Sequence, residues 1–98
     1  MPKVLQTAVV TLPANPLVMY FANRKPAPKD NPFEDLTRRV VQLQVLELEG
    51  DRNFTHAIRR LDKAGTVVWD TKHLSAAEAR WAAEWEYNLQ ATDWKAPS

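Results

Sequence analysis

The chain has no cysteine, which excludes disulfides, thiolate nucleophiles and cysteine-ligated metals together. Glycine is nearly as scarce. Its two copies, Gly50 and Gly65, each sit where a turn is expected, so neither a phosphate-cradling loop nor a dinucleotide fingerprint can be assembled. An excess of one charge is missing too: thirteen Lys and Arg against twelve Asp and Glu leave a net +1, so any basic site must be a local patch. No apolar run approaches the ~18 residues of a membrane-spanning helix. The start, Met1-Pro2-Lys3-Val4, lacks the apolar stretch of a secretion signal. These features lead us to expect a cytoplasmic protein with no membrane partner.

What is present suits an ordinary folded domain. Hydrophobic residues make up 45% and charged residues 26% of 98 positions, far from the composition of a disordered chain. That length corresponds to one domain over 1–98, large enough to bury a core without staples.

Residues 4–12 are β-branched and apolar and are stopped by Pro13, so they read as a strand. Pro13-Ala14-Asn15-Pro16 is a turn, and Leu17 to Phe21 is a second short strand. The stretch 23–32, with three prolines and several charges, forms an extended surface loop. Phe33 to Thr37 is expected to make one helical turn begun at Asn31, with Pro32 in the first helical position. Helical spacing of Phe33, Leu36, Val40 and Leu43 would also allow a single amphipathic helix here. The alternation that ends at Glu49, with Gly50-Asp51 behind it, favours a strand. Phe54 to Leu61 and Thr66 to Asp70 form a hairpin around Asp62-Lys63-Ala64-Gly65, in which Gly65 supplies positive φ.

Leu74-Ser75-Ala76-Ala77-Glu78 is a capping box with an apolar staple residue before it, so a helix begins at 76 and runs to about Gln90. The fold class is therefore α+β: an antiparallel sheet of four to five strands with one C-terminal amphipathic helix packed on one face.

That helix has two apolar sides. Trp81, Trp85 and Leu89 recur at i, i+4 and i+8, while Ala76, Ala79, Ala83 and Tyr87 lie roughly opposite. Only one side can cover the sheet. Aromatic residues normally go inward, which would leave the alanines outside. Four tryptophans are many for a core this small, however, and tryptophan dominates the energetics of interfaces. Trp81, Trp85, Leu89 and Trp94 are thus candidates for contact with another protein or a second copy. Trp94 joins them because it lies past the helix in a polar tail.

Arg24, Lys25, Lys29, Arg38 and Arg39 are candidates for nucleic-acid contact, with Tyr20 or Phe21 available to stack on bases. Arg59 and Arg60 are adjacent on a strand and must point to opposite faces, so both cannot join that patch. His56, Asp70 and His73 are the only acid–base set, and nothing beside them supplies a nucleophile or a third metal ligand. The expectation is a non-enzymatic protein-binding module without cofactor or metal. Its role would be accessory, regulatory or inhibitory. Nucleic-acid binding is the alternative.

Overall fold

The computed structural model describes residues 3–17, 21–23, 33–35 and 37–97. Four strands, β1 (Lys3–Val9), β4 (Gln42–Glu47), β5 (His56–Leu61) and β6 (Val67–His73), form an antiparallel sheet in the order β1-β4-β5-β6. Two further strands, β2 (Phe21–Asn23) and β3 (Phe33–Asp35), pair with each other. Helix α1 (Ala76–Tyr87) packs on β4, β5 and β6. This is the expected α+β arrangement.

The hairpin joining β5 to β6 forms where the alternation placed it. Asp62 accepts the Ala64 and Thr66 amides on its carboxylate, both at 2.9 Å, and Gly65 has φ +82°, which a side chain would strain. Ser75 is extended (φ −156°), and its Oγ accepts the Glu78 amide at 3.1 Å, which starts α1 at Ala76.

Several boundaries differ from expectation. The first strand ends at Val9 and not at residue 12. Residues 33–35 belong to β3 and not to a helical turn, because β2 offers their backbone a ladder; the helical turn falls later, as a 3-10 turn over Thr37–Arg39. The second strand is displaced from Leu17–Phe21 to Phe21–Asn23, and residues 18–20 lie outside the described ones.

Helix α1 stops at Tyr87, short of Gln90. Asn88 takes the left-handed conformation (φ 55°), which Asn tolerates better than most residues, and its side chain donates to the Pro13 carbonyl at 2.9 Å. The chain then turns back into the core at Leu89. A second 3-10 turn, Ala91–Asp93, brings Lys95 beside Thr7, and the two backbones exchange hydrogen bonds at 2.8 and 2.9 Å. The tail thereby bridges the outer edge of β1 at Thr7.

The core lies between sheet and helix. Leu43, Val45, Ile58 and Ala8 from the strands meet Ala79, Ala83 and Tyr87 from α1, joined by Val40, Leu89 and Trp94. Small alanines let the helix backbone approach the sheet closely, so the strands' larger residues fill the gap.

Candidate functional site

Packing decides which side of α1 faces outward, and it is the aromatic one. Ala79 and Ala83 are fully buried, whereas Trp81 is 68% and Trp85 48% exposed. The expectation that aromatic residues turn inward fails here. With a 12-residue helix laid on a sheet already rich in Leu, Val and Ile, alanine fits the narrow space and two indoles do not.

Leu89 and Trp94 leave the candidate surface, each being only 8% exposed. Leu89 is redirected inward by the left-handed Asn88, and so does not continue the stripe of Trp81 and Trp85. Trp94 is buried because the tail is stitched to β1, and Glu84 accepts its indole N–H at 2.9 Å, removing the cost of burying that donor. The exposed pair that remains is Trp81 and Trp85.

The neighbours of that pair define its surroundings. At about 100° per residue, Arg80 and Glu84 make one flank of α1, and this flank faces β1: Arg80 donates to Gln6 Oε1 at 2.9 Å and Glu84 holds Trp94. Trp81 points away from the sheet. Trp85 is about 40° further round and also outward, leaning toward the side of α1 on which Glu86 reaches Arg60. Trp69 on β6 is 39% exposed and stands directly across the strand pair from Arg60. Leu74, just ahead of the helix cap, is exposed as well.

A buried ion pair anchors this flank. Arg60 Nη2 donates to Glu86 Oε2 at 2.6 Å, and its Nη1 donates to Thr71 Oγ1 at 3.1 Å. Both side chains are almost entirely shielded. Arg59 goes to the other face of the sheet and forms a two-pronged pair with Asp70, as strand alternation requires. The Arg60–Glu86 pair was not anticipated. Its partners are distant in sequence, and nothing local marks an arginine for burial.

The basic candidates divide. Arg24, Lys25 and Lys29 lie outside the described residues. Arg38 and Arg39 are exposed on the 3-10 turn, with Arg39 within 4.0 Å of Asp62. Arg38 also lines a cavity of about 420 Å³ together with Val10, Leu12, Val40 and Tyr87. Carboxylates therefore meet Arg59, Arg60 and Arg39.

The acid–base candidates do not converge. His56 and His73 face each other across β5 and β6, but Asp70 is on the opposite face with Arg59. His56 Nδ1 contacts Thr55 Oγ1 at 2.7 Å and His73 Nε2 contacts Thr71 Oγ1 at 2.8 Å. Burial, aided by the Arg60 guanidinium, pushes the His73 imidazole below its ordinary value, against an opposing pull from Glu78 and Glu86. Asp51 is held down at about 2 by hydrogen bonds from Lys72 Nζ and from the Asn53 and Phe54 amides. Among the described residues no three His, Asp or Glu side chains group as metal ligands, and no helix is long and apolar enough to cross a membrane.

Compared with protein-family models, with curated proteins and with solved structures, the chain finds no match.

Proposed function

We propose that this protein is a non-enzymatic binding module, an accessory, regulatory or inhibitory subunit of a larger cytoplasmic assembly, that engages protein through Trp81 and Trp85. One observation carries the reading: α1 spends its alanine side on the sheet and holds two indoles in solvent. A fully buried aromatic ring removes roughly 150–250 Å² from water, of which Trp81 still exposes 68% and Trp85 48%. Its transfer into an interface stabilises a complex by several kcal/mol before the costs of association, at about 25 cal/mol per Å². Residues of this kind are the ones that dominate binding energy.

The test is capture from the native cell extract with the parent chain and with Trp81→Ala/Trp85→Ala. The expected result is a protein other than this chain retained by the parent and lost from the double variant while the variant's melting curve stays close to the parent's. Identical capture by both would overturn the reading. Retention instead of nucleic acid, with an affinity that falls steeply with salt and ignores the tryptophans, would favour the exposed Arg38 and Arg39.

A further inference from the structure

The two outer edges of the four-stranded sheet are treated differently. The edge at β1 is bridged at Thr7 by Lys95, but β6 pairs with β5 on one side and, among the described residues, with no strand on the other. Among the described residues no strand takes up the outward backbone groups of β6, which such an edge offers to another strand. We propose that a second copy of this chain pairs with it, β6 against β6, antiparallel about a two-fold axis through Thr71. This goes beyond the binding-module reading, which engages protein through α1.

The register follows from the hydrogen bonding. The Thr55 and Leu61 carbonyls accept the Leu48 and Val41 amides, both at 2.9 Å, so the odd-numbered residues of β5 direct their backbone groups toward β4. His56, Ile58 and Arg60 direct theirs toward β6, where His73, Thr71 and Trp69 stand opposite. Asp70 and Lys72 consequently turn their N–H and C=O groups outward. A two-fold ladder must join outward residues to outward residues, and near the strand centre three registers do so. Centred on Asp70, the pairing sets Asp70 against Asp70; centred on Lys72, it sets Lys72 against Lys72. Centred on Thr71, it sets Asp70 of each copy against Lys72 of the other, twice.

Charge thus selects the Thr71 register. Asp70 and Lys72 share the helix-free face, where Asp70 is already bound by Arg59 and Lys72 by Asp51 at 2.7 Å. Pairing links these into continuous rows, Asp51-Lys72-Asp70-Arg59, running from one copy into the other. On the helix-bearing face the same register places Trp69 opposite His73 of the second copy, with the Glu86 side of each α1 turned toward the seam. Two sheets of four strands become one of eight, and both helices lie on the same side.

Sedimentation of the full chain, from micromolar to millimolar concentration, tests this together with amide hydrogen exchange. The expected result is a dimer in which the Asp70 and Lys72 amides exchange more slowly as the dimer fills. Asp70→Lys and Lys72→Asp should each weaken self-association roughly tenfold or more by setting like charges opposite. An equimolar mixture of the two should dimerise again, since every facing pair is then opposite in sign. The exchange measurement needs no variant, so a substitution that perturbs folding does not spoil the test. A chain that stays monomeric throughout overturns the proposal. So does a dimer whose Asp70 and Lys72 amides are no slower than in the monomer, or single variants that dimerise like the parent. A strict monomer that still captures a different protein through Trp81 and Trp85 would remove only the second copy and leave the binding module standing.

Discussion

Both sides of α1 carry apolar residues, and their fates are opposite. Ala79, Ala83 and Tyr87 are buried against Val45 and Ile58, whereas Trp81 and Trp85 stand in solvent. Hydrophobicity alone does not decide which side packs. A helix crossing a sheet already filled by branched aliphatics comes closest with its smallest residues, and the larger apolar groups are left for a second surface. The buried side is also pinned electrostatically by Arg60 and Glu86.

The sharpest way to break the contrast is to remove that pin. Glu86→Ala leaves the Arg60 guanidinium inside the protein without the carboxylate now 2.6 Å away, and should cost about 3–5 kcal/mol. Urea denaturation measures it. Arg60→Met combined with Glu86→Leu should recover most of the loss, because an apolar pair of similar volume has no charge to desolvate. A single variant as stable as the parent would mean that alanine packing alone seats the helix.

Next in size is a change of shape on the same side. Ala83→Leu inserts three carbons where α1 lies tightest on the sheet and should cost roughly 1–3 kcal/mol by overpacking. A neutral result in thermal melting would show slack beneath the helix. The alanines would then not explain why the tryptophans face outward.

Much of this was legible in the sequence because it is encoded locally. The Ser75 cap needs only Glu78 three residues on, and the β5–β6 hairpin needs only Asp62, Gly65 and the alternation around them. Both are where the pattern put them. What was not legible depends on partners remote in the chain. Residues 33–35 are a strand because β2 lies beside them, and Trp94 is buried because Lys95 meets Thr7. Arg60 and Glu86 find each other only after β5 and α1 are stacked. The candidate site follows the same rule: the two stripes of α1 could be drawn on a helical wheel, but choosing between them required the sheet.

The smallest expected effect is the most diagnostic one. Trp81→Ala removes one of the two largest side chains in α1, a change that in a core would cost about 3–5 kcal/mol. Trp81 is 68% exposed, so little packing is lost, and alanine is the better helix former. Stability should therefore change by no more than about 0.5 kcal/mol, as at other surface positions without special contacts. The comparison with Ala83→Leu then isolates the side of the helix as the variable, since both substitutions sit in the same element two residues apart. Fluorescence adds a second reading: an external quencher should reach the Trp81 indole readily and Trp94 hardly at all. A loss above about 2 kcal/mol would place Trp81 among packed side chains, and the outer surface of α1 would no longer be available to a partner.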